Sequence, residues 1–139
     1  MTLDDVIVAR NLSDHELVAA LPEVLLVTSN EVLVLDDIEE GEVGEHVKVL
    51  CVRTRIKGDF PIVLSIYLRD PALENVDREV VLSKFCSKLG CTCPISDDSM
   101  NPYSRLLIVG SEPPRPVFLD ADRLDADEEE YVLDTRYQI

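Results

Sequence analysis

Three of the four cysteines lie close together in the chain, and closely spaced thiols can bind a metal or exchange disulfides. Cys86, Cys91 and Cys93 fall within eight residues. A zinc site normally takes four ligands, with two of them in a C-x-x-C motif, and neither that motif nor a fourth ligand is present. We expect Cys86 to be a small buried hydrophobe. A redox or metal role stays open for Cys91 and Cys93, although no Lys, Arg or His immediately follows to stabilise a thiolate.

The signatures of common nucleotide-binding and hydrolytic enzymes are missing from the sequence. It contains no G-x-x-x-x-G-K, G-x-G-x-x-G, G-x-S-x-G or H-E-x-x-H motif. The only histidines are His15 and His46, and we expect both to be solvated surface residues rather than general bases. The sequence therefore favours a protein that is not an enzyme and that carries neither a metal nor a cofactor.

Carboxylates occur in three runs. The last run, residues 120–130, is dense enough to suggest calcium, but an EF-hand loop starting at Asp120 would require glycine where Asp125 stands and glutamate where Tyr131 stands. An ordinary solvated surface accounts for each run taken separately, but three runs in one small domain also allow one concentrated negative surface that binds a partner. The carboxylates predicted to bind are Asp36, Asp37, Glu39, Glu40, Asp97, Asp98, Asp120, Asp122 and Asp125.

The middle run belongs to the loop Ser96-Asp97-Asp98-Ser99-Met100-Asn101-Pro102-Tyr103. Its Asp and Asn side chains favour turns, because they satisfy nearby backbone groups. The alternative is a rigid recognition loop, in which Asp97 and Asp98 pair with Arg or Lys of a partner and Tyr103 supplies contact area. We therefore add Tyr103 to the predicted binding residues.

The chain is strongly acidic. It has 28 Asp and Glu against 13 Lys and Arg among 139 residues, which gives a formal net charge of −15. Such a surface repels nucleic acid and anionic membranes, whereas it attracts a basic protein. The N-terminus lacks the basic and apolar regions of a secretion signal, and no apolar run approaches the ~18 residues of a membrane span. We expect a cytoplasmic protein with reduced cysteines.

The first half of the chain indicates one short helix and four strands. A capping box at Ser13 and Glu16 predicts a helix from about Asp14 to Leu21, which Pro22 should end. The predicted strands are 23–28 and 31–35, paired as a hairpin, and then 46–56 and 61–69.

The second half indicates a longer helix and another hairpin. Val81, Phe85 and Leu89 recur at helical spacing within 76–89, and Gly90 stands where a left-handed C-cap belongs. Strands are predicted at 105–109 and 116–120, around a turn at 110–114.

Strands arriving in consecutive hairpins, with only two helices among them, predict an α+β protein. We expect an antiparallel sheet of about six strands with both helices packed on one face. The size and the 46% hydrophobic composition predict one domain over residues 1–139, with an acidic C-terminal segment at about 120–139.

The second half also resembles a known class of proteins. Leu89-Gly90, then Ile95-Ser96-Asp97-Asp98 and Asn101-Pro102-Tyr103, followed by a hairpin and an acidic end, resemble small bacterial immunity proteins of polymorphic and contact-dependent toxin systems. The resemblance covers about the last third of the chain. It implies a cytoplasmic inhibitor that occupies the active site of a cognate toxin, often a basic nuclease.

These observations favour an immunity-type or antitoxin-type inhibitor, which acts as a monomer or homodimer on a basic toxin. Two alternatives remain. A secretion chaperone is also small, acidic and α+β, but it dimerises and holds an effector segment. A small enzyme could use carboxylates or the pair Cys91 and Cys93.

Overall fold

A computed structural model of the chain describes residues 2–36, 43–97, 99–110, 112–125 and 130–134. The strands in these ranges are β1 (Thr2–Val8), β2 (Val32–Asp36), β3 (Val49–Arg55), β4 (Lys57–Gly58), β5 (Ile62–Leu68), β6 (Cys93–Ser96), β7 (Ser104–Val109), β8 (Glu112–Phe118) and β9 (Glu130–Tyr131). The α-helices are α1 (Asp14–Leu25), α2 (Arg78–Leu89) and α3 (Ala121–Leu124), and single 3₁₀ turns occupy Ser29–Glu31 and Pro71–Leu73.

The larger sheet has four strands in the order β1-β5-β3-β2. Strand β5 runs antiparallel to both β1 and β3, so the predicted strands 46–56 and 61–69 are confirmed with shorter limits. In β5 every second residue from Ile62 to Leu68 is buried, which is the period-two pattern of a strand with one face on the core. Strand β2 runs parallel to β3, and residue Val32 pairs with Val49.

The predicted hairpin of 23–28 with 31–35 is wrong, because residues 23–25 belong to helix α1. The capping box at Ser13 is confirmed, but the helix continues through Pro22 to Leu25. An internal proline costs about 3 kcal/mol. Burial outweighs this cost, since each fully buried Leu or Val contributes about 1.5–3 kcal/mol. The buried apolar side chains of the helix recur at helical spacing: Leu17, Ala20, Leu21, Val24 and Leu25.

Helix α2 confirms the second predicted helix. Asp77 caps its N-terminus by accepting hydrogen bonds from the amides of Glu79 and Val80. Phe85 and Cys86 are buried, and Gly90 forms the C-cap at φ 62°, a left-handed conformation that glycine adopts without a Cβ penalty.

A second sheet has three antiparallel strands in the order β6-β7-β8. Strands β7 and β8 confirm the second predicted hairpin, although β8 begins at Glu112 and so includes residues that were assigned to the turn. Strand β6 was not predicted. One backbone hydrogen bond of 3.0 Å, from the Ala9 amide to the Thr92 carbonyl, connects the end of β1 with the start of β6.

The main core lies between the two long helices and the strands, and this arrangement confirms the α+β class. Its largest fully buried side chains include Leu17, Ile66, Phe85 and Ile108. A second, smaller core contains Ile7, Phe60, Leu107 and Val117.

Residues 130–134, which we call the closing segment, include β9, which forms a third sheet of two parallel strands with β4; Gly58 pairs there with Tyr131. A bridge between Leu119 and Leu133 connects the segment to the residue after β8. Tyr131 and Leu133 also pack against the second core. Across the described ranges, no helix has both the length and the apolar character that crossing a bilayer requires.

Candidate functional site

The end of the three-stranded sheet brings together three polar segments that are separate in the sequence. Ser96 at the end of β6 faces Arg105 near the start of β7, and Ser104 faces Phe118 at the end of β8. The loop after β6, the residue before β7 and the residues after β8 therefore lie at one end of the sheet. We call this end, with Asp97, Tyr103, Asp120, Asp122 and Asp125, the acidic end.

The loop between β6 and β7 is built by side chains that bond its own backbone. Asp97 Oδ1 accepts a hydrogen bond of 3.0 Å from the Ser99 amide, and Asn101 Oδ1 accepts one of 2.9 Å from the Tyr103 amide. The hydroxyls of Ser99 and Ser104 lie 2.6 Å apart. A hydrogen bond from Ser104 and bonds within the loop hold the pKa of Asp97 below its usual range. Asp97 thus shapes the loop while staying ionised.

Tyr103 connects this loop to the segment after β8. Its hydroxyl donates a hydrogen bond of 2.6 Å to Asp125 Oδ2, and its carbonyl accepts one of 2.8 Å from the Leu119 amide. The bond to Asp125 and partial burial raise the pKa of the Tyr103 phenol, and the charge of Asp122 acts in the same direction. The aromatic ring is therefore held in place beside two carboxylates.

Asp120 and Asp122 have different roles at this end. Asp120 Oδ1 accepts a hydrogen bond of 3.2 Å from the Arg123 amide and so caps the short helix α3. Asp122 lies in the first turn of α3 and is exposed. Asp122 is thus a carboxylate that a partner can reach.

Three arginines offset part of this negative charge. Arg123 pairs with Glu130 at 3.1 Å, and Arg105 donates to the Pro102 carbonyl at 2.7 Å. Arg78 donates to the Ser96 carbonyl at 3.0 Å. The described part of the acidic end carries five carboxylates, with Glu130 included, against these three guanidinium groups.

Asp36 lies in the other sheet, at the end of β2, and contacts Arg53 of β3. Its Oδ1 accepts a hydrogen bond of 2.7 Å from Arg53 Nε, which lowers the pKa of the Asp36 carboxyl. The described residues show no contact between Asp36 and the acidic end. The predicted binding residues Asp37, Glu39, Glu40 and Asp98 lie outside the described residues.

The buried charge of Arg53 is absent from the predictions made from the sequence. Its side chain is 7% exposed, and it also pairs with Asp14 at 2.6 Å and donates to the Leu12 carbonyl at 2.7 Å. The sequence does contain a signal for this burial. Val49, Cys51 and Arg53 are two residues apart in β3, and residues at this spacing face the same side of a sheet, here the inner side.

The four cysteines are buried as free thiols, so the prediction of a buried Cys86 is confirmed. Burial raises the pKa of Cys51 to about 12. The pKa of Cys91 is also raised, first by its hydrogen bond to Cys86 and then by burial. These shifts make the thiolate forms of Cys51 and Cys91 scarce at neutral pH. His15 and His46 are both exposed.

Within the described ranges, no three His, Cys, Asp or Glu side chains are arranged to hold a metal ion. Asp97, Asp120 and Asp125 serve instead as hydrogen-bond acceptors for the backbone and for Tyr103. Comparison with known proteins finds no match to this chain among protein families, curated proteins or solved structures.

Proposed function

We propose that the protein is an acidic inhibitor of the immunity or antitoxin type, which binds a basic toxin in the cytoplasm and blocks its active site. The observation that carries the proposal is the convergence of Tyr103 with Asp122 and Asp125 at the acidic end of the three-stranded sheet. The resemblance of about the last third of the chain to immunity proteins of toxin systems supports the same function.

The chemistry of this surface suits a partner rich in Lys and Arg. Carboxylates bind guanidinium groups through charge-assisted hydrogen bonds, and an aromatic side chain in a fixed position supplies contact area with little loss of conformational entropy. A nuclease grips phosphates with its cations, so an inhibitor that occupies those cations excludes the substrate without any reaction of its own.

The net charge of −15 adds attraction at long range. Charges in solution act over about 8 Å at physiological ionic strength. We therefore expect the association rate with the toxin to fall steeply as salt is added, with a smaller change in the dissociation rate.

The test begins with a search for a toxin-like reading frame adjacent to the gene of this protein, and the absence of such a frame would argue against the proposal. The two products are expressed together, growth is scored, and the association and dissociation rates, with the affinity that their ratio gives, are measured by surface plasmon resonance at low and high salt. Asp125→Lys is the test variant. Glu112→Lys is the matched control, because Glu112 is exposed at the opposite end of β8 and the change in charge is the same.

We expect wild-type protein to restore growth and Asp125→Lys to weaken binding at least about tenfold, which corresponds to ~1.4 kcal/mol. Glu112→Lys should weaken it less than about threefold. Equal effects of the two variants would argue against the acidic end as the contact surface. A stable homodimer that binds only an unfolded segment would favour a secretion chaperone instead.

A further inference from the structure

The thiols of Cys86, Cys91 and Cys93 meet at the junction of α2 and β6. Cys86 lies in the last turn of α2, and the left-handed Gly90 reverses the chain so that the Cys91 amide donates a hydrogen bond of 3.1 Å to the Cys86 carbonyl. Cys93 is the first residue of β6, and its Sγ lies 3.3 Å from that of Cys86. The Cys91 thiol is hydrogen-bonded to Cys86 as well.

The pair Cys86 and Cys93 is close enough to form a disulfide with little movement. Bringing sulfurs from 3.3 Å to bonding distance requires a displacement of about 1.3 Å. Both residues belong to the main core, with exposures of 1% and 0%, so a reagent in solution cannot reach them directly.

Cys91 is the most accessible of the three, at 8% exposure, and it lies near a cation. The Arg10 guanidinium bonds Glu16 at 2.8 Å and also the Leu89 carbonyl, which is two residues before Cys91. Its charge favours the thiolate of Cys91, whereas the Glu16 carboxylate opposes it. Of the three thiols, Cys91 is therefore the one that a reagent in solution reaches first.

We propose that these three cysteines form a thiol–disulfide exchange site. The Cys91 thiol reacts with a low-molecular-weight disulfide from solution, and the final product is a disulfide between Cys86 and Cys93. This role is independent of the proposed binding to a toxin. It makes the junction of α2 and β6 a site of reversible modification.

The exchange proceeds in three steps that balance. The Cys91 thiolate attacks the external disulfide RSSR, forms a mixed disulfide and releases one RSH. The Cys86 thiolate then attacks Cys91 Sγ, which releases the second RSH and leaves a Cys86–Cys91 disulfide. The Cys93 thiolate attacks Cys86 Sγ, forms the final disulfide and returns Cys91 to a thiol. Two protein thiols are oxidised, RSSR is reduced, and the two thiol protons end on the two RSH molecules.

The surroundings of the Cys91 thiol set the rate of this exchange. Mutual hydrogen bonding and burial raise the pKa of Cys91, so its thiolate is scarce at neutral pH. The reaction is therefore slow at neutral pH, and its rate rises about tenfold for each unit of pH well below that pKa. Brief exposure to oxidant leaves the site reduced, whereas sustained exposure oxidises it.

The test treats the folded protein with oxidised glutathione, followed by alkylation, digestion with trypsin and mass spectrometry without reduction. Cleavage after Lys84, Lys88 and Arg105 places Cys86 in peptide 85–88 and both Cys91 and Cys93 in peptide 89–105. Fragmentation of the linked peptides identifies the partner of Cys86. Cys51, in peptide 49–53, is the internal control because it is buried and not part of the group.

We expect peptide 85–88 to be linked to 89–105 through Cys93, with two molecules of glutathione released per chain and Cys51 unmodified. Cys91→Ser should slow the linkage at least about tenfold, because the entry thiol is lost. Cys93→Ser should leave the link at Cys91, and Cys51→Ser should change nothing. The proposal is overturned by a folded protein that forms no linkage, by a mixed disulfide that stops at Cys91, or by an unchanged rate in Cys91→Ser.

A second measurement serves if the Cys91→Ser variant does not fold. Wild-type protein is alkylated with iodoacetamide under native conditions, and the modified cysteines are identified over time. We expect Cys91 to be modified before Cys86 and Cys93. Simultaneous modification of all four cysteines would show that the reagent enters only through unfolding, and it would overturn the role of Cys91.

Discussion

Arg53 and Asp36 are joined by a hydrogen bond of 2.7 Å across the parallel strand pair of β2 and β3. The arginine is buried, but the carboxylate is 55% exposed, so the charge pair reaches from the protein interior to solvent. This arrangement satisfies the guanidinium without burying an acidic side chain completely. The cost of desolvation therefore falls mainly on Arg53.

Replacing Arg53 tests this arrangement. Arg53→Met leaves the buried Leu12 carbonyl without its donor, and an unsatisfied buried acceptor costs about 1–3 kcal/mol. The matched control is Arg55→Met, because Arg55 is exposed in the same strand, and it should change stability by less than about 0.5 kcal/mol. Urea unfolding measures both variants. Equal stability of the two would show that the Arg53 contacts contribute nothing.

The pair of Glu31 and Lys48 predicts a dependence of stability on pH. A hydrogen bond of 2.8 Å from Lys48, with bonds from Thr28, lowers the pKa of Glu31 from its ordinary 4.5 to about 2. Because the folded-state pKa is the lower one, the stabilisation is complete above pH 4.5 and is lost as the pH falls toward 2.

We therefore expect Glu31→Gln to be less stable than wild type at pH 7, and the difference to shrink between pH 4.5 and 2. Urea midpoints at several pH values measure it. Glu74→Gln, at an exposed position, is the control and should follow the wild-type curve. A difference that stays constant down to pH 2 would contradict the lowered pKa.

Leu26 ends helix α1 in a conformation that suits glycine. It has φ 57° and ψ 46°, and its side chain is 89% exposed. A left-handed residue with a Cβ is strained by about 1–2 kcal/mol, which exceeds the roughly 0.5–1 kcal/mol that glycine adds through the entropy of the unfolded chain. We expect Leu26→Gly to raise the melting temperature and Leu26→Ala to leave it nearly unchanged. A destabilised Leu26→Gly would mean that this leucine has contacts beyond its own strain.

The edge of β8 that faces away from β7 is protected against pairing with a strand of another molecule. The closing segment covers the end of β8 through the Asp134 amide, which bonds the Phe118 carbonyl at 2.8 Å. Pro113, Pro114 and Pro116 occupy the remaining length, where they offer no amide proton to a further strand. We expect Pro114→Thr/Pro116→Thr to aggregate faster than wild type on warming, as measured by light scattering. Unchanged scattering would show that the prolines do not protect this edge.

Several elements were predictable because their local signals agree. In α2 the cap at Asp77, the apolar spacing of Phe85 and Cys86, and Gly90 at the C-terminus all favour the same helix. The sequence predicts α1 too short, because Pro22 favours a helix end whereas the apolar spacing of the helix continues through Val24 and Leu25. Burial in the tertiary structure decided that conflict.

The candidate site was predictable only in part. A hairpin of β7 and β8 brings Tyr103 near Asp120, so their proximity follows from the predicted strands. The bond from Tyr103 to Asp125 depends on the turn of α3, and the four residues Ala121–Leu124 carry no spacing that predicts it. Strand β6 was missed for a similar reason, since the sequence Cys-Pro-Ile-Ser has no alternation and is a strand only because it pairs with β7.

The closing segment makes the unfolding of the two larger sheets cooperative. Asp59 accepts a hydrogen bond from the Leu133 amide at 3.1 Å, and Asp120 donates one from its own amide to the Val132 carbonyl at 2.7 Å. The segment also packs, through Tyr131 and Leu133, on the second core, to which both β1 and β7 contribute, so its detachment exposes apolar side chains of both sheets. Amide protons in the central strands β5 and β7 should exchange with deuterium through one common opening event, at a rate set by the global unfolding free energy.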